Sequence, residues 1–152
     1  MIQRIQSIWL LLASITIFLL LVIPVVSRVQ GSKEFWIQAT GLFQHENGTT
    51  IKLETFTPLY ISVIAVGVLC IANIFNFKRR TVQKTVCIAI IALIAFLSFW
   101  TFNYAQKISG GLGSATYDAG VALPILAGVF CALAIRGITK DEQLLRSAER
   151  LR

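Results

Sequence analysis

Residues 59–77 read LYISVIAVGVLCIANIFNF, a run of nineteen positions without a charged side chain. A helix needs about 20 apolar residues to cross the ~30 Å hydrocarbon core of a bilayer. Three further runs, 8–26, 85–102 and 119–135, have a similar length and character. Because a chain in lipid must satisfy its own backbone hydrogen bonds, helices are favoured over strands here. The sequence predicts an all-α integral membrane protein, one domain over residues 1–152 with four transmembrane helices in a bundle.

The overall composition agrees with these four runs. Hydrophobic residues make up 56% of the chain, charged residues make up 14%, and the mean hydropathy is +0.75. A water-soluble domain of this length would expose far more polar surface. We therefore expect the lipid bilayer to be the main surroundings of this chain.

The distribution of Lys and Arg predicts how the chain is oriented. Short cytoplasmic loops retain positive charge. Ten cations fall before the first span, between the second and third, or after the fourth: Arg4, Lys78, Arg79, Arg80, Lys84, Arg136, Lys140, Arg146, Arg150 and Arg152. Four fall on the other side: Arg28, Lys33, Lys52 and Lys107. This asymmetry predicts that both termini are cytoplasmic. It also explains the net charge of +7 without nucleic-acid binding. The first apolar run is long for a signal core, so we expect an uncleaved first span.

The first outer loop, residues 27–58, carries the pattern of a short β-hairpin. Residues 35–43 are rich in aromatic and β-branched types, and Ile51, Leu53 and Thr55 alternate with polar neighbours. Asn47 and Gly48 between these segments form the dipeptide that tight primed turns prefer. A lone two-stranded ribbon is marginal in water, so its aromatic side chains are expected to press against the helix ends or the membrane interface.

Polar side chains within the spans are few and carry no charge. They are Ser14, Thr16, Ser62, Asn73 and Ser98, and hydrogen bonds between helices are their expected role. Gly128 and Ala132 form a small-xxx-small pair in the fourth span, which predicts a close helix contact. The pattern gives neither a proton relay nor a row of voltage-sensing arginines.

Three cysteines, Cys70, Cys87 and Cys131, fall in the second, third and fourth spans. Thiolates at one depth of the bilayer could form a binding site for a soft metal ion. Against it, no C-x-x-C pair exists, and no histidine or carboxylate lies at that depth to complete the ligand set. His45, the single histidine, is also far in sequence from Asp118, so nothing marks an acid–base pair. We expect no metal, no cofactor and no enzymatic activity.

The C-terminal segment, residues 139–152, has the pattern of a separate amphipathic helix on the cytoplasmic side. Thr139 and Glu142 form a capping-box pattern at its start, and Arg150 and Arg152 favour its end. At this length such a helix is marginal alone, so it either lies on the headgroups or docks on a partner. The residues expected to dock are Leu144, Leu145, Arg146, Ala148, Arg150 and Leu151.

The two ends of the chain carry a family resemblance. MIQRIQS at residues 1–7, leading into the first span, and RSAERLR at residues 146–152 resemble the ends of a family of uncharacterised four-span inner-membrane proteins of Bacteroidota-type bacteria, a domain of unknown function. That resemblance implies localisation in the bacterial inner membrane and four helices, and it brings no known activity. A β-ribbon between the first two helices, with Trp36 and the run 41–43 in it, is also similar in layout to the claudin-like four-helix proteins.

Two classes of function remain. The first is a non-catalytic accessory or scaffold subunit of a larger inner-membrane complex, with other membrane subunits as partners. The alternative is a small homo-oligomeric transporter or lipid-handling protein, in which a pathway forms between copies.

Overall fold

The computed structural model describes residues 3–106 and 115–150. The chain forms helix α1, a run of four strands, helices α2 and α3, a fifth strand and helix α4. The bounds are α1 Gln3–Leu19, β1 Val26–Gln30, β2 Lys33–Gln38, β3 Gly41–Glu46, β4 Thr49–Thr55, α2 Thr57–Phe75, α3 Arg80–Ala105, β5 Thr116–Tyr117 and α4 Ala122–Arg150. Short 3-10 turns at Asn76–Lys78 and Ala119–Val121 precede α3 and α4.

The prediction of an all-α fold is wrong, because the strands form a five-stranded antiparallel sheet in the order β4-β3-β2-β1-β5. The expected hairpin is only part of it. The segment 35–43 reverses at Ala39 and Thr40, so it belongs to two strands, β2 and β3. Residues 26–30 and 116–117 add two more strands that the sequence analysis missed. A lone two-stranded ribbon would be marginally stable in water, whereas a sheet of several strands with one buried face is stable.

The helices also differ from the four predicted spans. Three segments are each long and apolar enough to span a membrane, namely α2, α3 and Ala119–Leu144 of the last helix with its preceding turn. The apolar part of α1, Ile5–Leu19, is shorter than that length. The described residues therefore do not form a bundle of four equivalent spans. The three long helices still indicate a membrane protein.

The predicted separate helix over 139–152 is also wrong, because α4 runs without a break from Ala122 to Arg150. Thr139 does not cap a helix start. Its hydroxyl donates to the Ile135 carbonyl one turn earlier, at 3.0 Å, as in a helix interior. Asp141 is buried against the bundle. The capping pattern was therefore an incidental match inside a longer helix.

The sheet closes one end of the helix bundle. Its inner face buries Val26, Phe35, Ile37 and Leu42, which join the main apolar core of the helices. Phe56, between β4 and α2, stacks on Tyr104 of α3 with ring centroids 4.1 Å apart. This end of the bundle is therefore sealed by apolar packing, while the turn between α2 and α3 lies at the opposite end.

Candidate functional site

Five buried or partly buried polar residues from all four helices lie at the bundle end opposite the sheet. We call them the polar layer: Gln6, Asn73, Arg80, Gln83 and Asp141. They follow a small apolar cluster of Leu10, Cys87, Ala134 and Ile138. Gln6 and Gln83 each stand one helical turn before a member of that cluster, and Asp141 stands about one turn after another. The helical repeat therefore carries these polar side chains inward together.

Within the polar layer, α2 and α3 hold each other through amide groups. The Asn73 Nδ2 atom donates to the Gln83 carbonyl at 3.1 Å and to the Cys87 Sγ at 3.2 Å. In return, the Gln83 Nε2 atom donates to the Asn73 carbonyl at 3.3 Å. Hydrogen bonds between membrane helices contribute about 0.6 kcal/mol each on average. This reciprocal pair fixes the α2–α3 hairpin just above its turn.

An ion pair joins α3 to α4 in the same layer. The Arg80 Nη2 atom lies 3.8 Å from Asp141 Oδ2, a long contact, and Asp141 is only 7% exposed. A buried carboxylate of this kind is tolerated when it is paired. The buried Asp141 carboxylate therefore depends strongly on Arg80. Arg80 is nearer the surface and depends less on Asp141.

Three buried atoms of the polar layer have no hydrogen-bond partner: Gln6 Nε2, Arg80 Nη1 and Gln83 Oε1. The Gln6 side chain packs on Gly137, where a Cβ atom would stand 3.0 Å from Gln6 Cγ. Two donors and one acceptor in a buried layer are suited to hydrogen bonding with small polar molecules such as water. They supply neither a nucleophile nor a free acid–base pair.

The cysteines lie on three helices, and all three are buried free thiols. Cys87 accepts the hydrogen bond from Asn73. Across residues 3–106 and 115–150, no three histidine, cysteine or acidic side chains are placed to hold a metal ion. The expectation that the protein binds no metal or cofactor stays a prediction.

The structure places Asn47 and Gly48 in the turn between β3 and β4. Both have positive φ, 50° and 80°, as a primed two-residue turn requires. The Thr49 hydroxyl donates to the Glu46 carbonyl at 2.8 Å and braces this turn. On the outer face of the sheet, Trp36 stacks on Phe43 at 5.8 Å, and the Lys52 amine lies 5.5 Å from the Phe43 ring centroid. Two of these aromatic residues thus pack on each other and on a lysine instead of on the helix ends.

Neither Gly128 nor Ala132 lies at a close helix contact within the part of the chain that the structure describes. A Cβ atom at Gly128 would meet nothing within 4 Å, and Ala132 is exposed. A close contact there would need another molecule. Within the long helices, close approaches occur instead at Gly67, where a Cβ atom would stand 2.6 Å from the Phe18 ring, and at Gly137. Neither glycine belongs to the pair Gly128 and Ala132, from which the sequence predicts a close helix contact.

The polar span residues divide between two roles. Ser14 donates to the Gly67 carbonyl of α2 at 3.1 Å, and Asn73 bonds across to α3, so both link helices as expected. Thr16, Ser62 and Ser98 instead donate to carbonyls one turn earlier in their own helices. For these three residues the expectation of an interhelical bond is wrong.

The residues expected to dock a partner lie at the far end of α4. Leu144 is half-exposed. Leu145, Arg146, Ala148 and Arg150 belong to the α4 backbone, but their side chains lie outside the described part of the structure, as does Leu151 altogether. Docking through these residues stays a prediction.

Comparison with known proteins places this chain in one family. No curated protein matches it. The model of a domain of unknown function, DUF4293, matches residues 2–151, nearly the whole length. The chain therefore belongs to the DUF4293 family.

Proposed function

We propose that this protein is a non-catalytic accessory subunit of a larger bacterial inner-membrane assembly, and that it docks a partner along the free edge of its sheet. The distribution of Lys and Arg supports an inner-membrane location with both chain ends on the cytoplasmic side. The sheet would then face the outer side. The terminal sequences support a Bacteroidota-type origin, and the sheet between α1 and α2 supports the claudin-like layout.

The observation that carries this proposal is the exposure of β4 at the edge of the sheet. This strand is the edge of the sheet, it has seven residues, and every one of them is exposed. An edge strand presents unpaired backbone donors and acceptors, to which a strand of another protein can add. The opposite edge, β5, has two residues and offers much less.

The side chains of β4 add to this edge. Ile51 is 55% exposed and Leu53 is 50% exposed. Lys52 pairs with Phe43 and Glu54 with Leu42, so Leu53 has no opposite residue in β3 and forms a bulge. Bulges redirect a side chain at a sheet edge. Two exposed apolar side chains on an edge strand are typical of a protein contact.

The buried polar groups support a non-catalytic role. In the polar layer, Asn73 and Gln83 bond to each other's backbone, and Asp141 pairs with Arg80. These contacts join helices and leave no carboxylate poised beside a nucleophile. Their arrangement is that of a structural network.

The test is purification of the tagged protein from its native membrane in mild detergent, followed by mass spectrometry. We expect defined membrane partners in stoichiometric amounts. The double variant Ile51→Lys and Leu53→Lys should lose at least one of them, while Glu34→Lys, at an exposed site on β2 that is paired with a strand on each side, should keep them all.

Recovery of the protein alone, or as a homo-oligomer, would overturn the proposal. That result would favour the alternative of a small transporter or lipid-handling protein. Retention of every partner by the edge variant would overturn the role of β4.

A further inference from the structure

A crevice of about 220 Å³ opens where the sheet meets the helix bundle. Its walls come from the last turns of α3, the start of α4, the end of α1 and the strands β1 and β5. They include Leu20, Val26, Phe102, Tyr117 and Pro124. It lies at the other end of the bundle from the polar layer, and it is separate from the β4 edge.

The lining of the crevice is apolar in character. Its two aliphatic hydroxyl side chains, Ser98 and Thr101, already donate to the carbonyls of Ile94 and Leu97, each at 2.8 Å. They therefore need no further partner. A water molecule requires two to four polar partners, and apolar cavities without them stay dry. An apolar occupant fits this lining better than water or a polar solute.

Two helices that can span a membrane, α3 and Ala119–Leu144, supply part of the crevice lining. Phe102 and Ile125, one from each, are 48% and 69% exposed. The medium that meets such a surface is lipid hydrocarbon. Tyr117 lines the sheet side and is also exposed, and amphipathic rings of this kind favour the level of the headgroups.

The crevice is held open by backbone contacts. The amides of Asp118 and Gly120 donate to the carbonyls of Val25 and Pro24, both at 3.1 Å. Gly120 lies so close to the segment leading into β1 that a Cβ atom would clash with the Pro24 backbone. The segment before α4 is thereby fixed on the residues just before β1, which pre-organises this wall of the crevice.

We propose that this crevice binds one acyl chain of a membrane phospholipid, drawn from the leaflet beside the sheet. The chain enters between α3 and α4, and its headgroup stays near Tyr117. This inference is independent of the proposed subunit role, because it involves neither β4 nor a partner protein.

The test uses purified protein in vesicles of phosphatidylethanolamine and phosphatidylglycerol, with a trace of phospholipid carrying a diazirine at the end of one acyl chain. After illumination, labelled peptides are mapped by mass spectrometry. We expect the label to concentrate in residues 98–105 and 120–125. Ser98→Phe should lower it there about tenfold, the ratio that losing two buried methylenes of contact gives.

Ser62→Phe is the matched control. Its hydroxyl makes the same bond within its own helix, to the Pro58 carbonyl at 2.6 Å, but Ser62 is remote from the crevice lining. It should leave the labelling pattern unchanged. Val121→Phe fills the crevice from another wall and decides the matter if Ser98→Phe fails to fold. Even labelling along α2, α3 and α4, or unchanged labelling in a folded crevice-filling variant, would overturn the inference.

Discussion

The two ends of the helix bundle are stabilised in opposite ways. At the sheet end, apolar side chains from the inner sheet face and the helices form one core, and backbone bonds tie the strands together. At the other end, the polar layer brings three side-chain amides and an ion pair into the interior, and three of their atoms have no hydrogen-bond partner. The sheet end therefore depends on close packing, and the polar end depends on pairing.

This difference has a consequence for how each end responds to change. Close-packed regions tolerate little added volume, since interiors are as dense as organic crystals. Buried polar groups tolerate volume changes better but not the loss of one partner. Substitutions that add volume should be worst at the sheet end, and substitutions that remove a charge should be worst at the polar end.

The largest effect is expected at Gly120, at the sheet end. Gly120→Leu places a side chain against the Pro24 backbone, which cannot move without disrupting β1. We expect a loss of about 3 kcal/mol in unfolding free energy, the upper range for overpacking. The measurement is unfolding by dodecyl sulfate titration in mixed micelles, followed by tryptophan fluorescence. Gly128→Leu, at an open site, is the control and should change little.

The next effect is expected at the polar end. Arg80→Met leaves the Asp141 carboxylate buried without its cation, which should cost about 2 kcal/mol, less than for a fully buried pair because Arg80 is partly exposed. Adding Asp141→Asn should restore much of the loss, since no charge then remains unpaired. The same titration on both single variants and the double variant gives the coupling. Additive losses would show that the two side chains do not interact.

A smaller effect is expected at the tip of the sheet. Gly48→Ala forces a Cβ atom onto a residue with a φ of 80°, and we expect a cost of about 1 kcal/mol. A Cβ atom there would meet nothing within 4 Å, so the loss reports backbone strain alone. The thermal midpoint of the purified protein in detergent is the readout. Ile51→Lys, at an exposed site on the adjoining strand, is the control, and an equal loss there would contradict the strain argument.

The smallest effect is expected at Gln83. Gln83→Leu removes the 3.3 Å bond to Asn73, but it also removes an acceptor, Oε1, that is buried without a partner. These terms oppose each other, so the net change should stay within about 0.5 kcal/mol. A loss above about 2 kcal/mol would mean that the Oε1 atom is satisfied in the membrane, for instance by a bound water.

The sequence allowed prediction of the parts that have a local signal. Hydropathy located the apolar portions of α2, α3 and α4, and Asn47 and Gly48 marked the turn between β3 and β4. Local patterns missed the helical residues 80–84 and 136–138, and therefore the continuity of α4, because backbone hydrogen bonds continue a helix where hydrophobicity ends. They also missed β5, because the pairing of Val26 with Tyr117 joins segments far apart in sequence.

The polar layer could not be found from sequence for a similar reason. Gln6, Gln83 and Asp141 stand at or beyond the ends of their apolar runs, where polar residues are expected to meet water. Only the packing of α1, α3 and α4 turns them inward. Asp141 also lies between Thr139 and Glu142, whose capping-box pattern predicts a helix start at this point of the sequence.

The most direct test of the proposed function is crosslinking in living cells at the free edge of the sheet. A photoreactive amino acid is placed at Leu53 on β4, with the exposed Glu34 on β2, which is paired with a strand on each side, as the control. We predict one discrete crosslinked product from Leu53, containing a different membrane protein, and none of that product from Glu34. Crosslinks from Leu53 only to a second copy of this chain, or to no protein at all, would contradict the account.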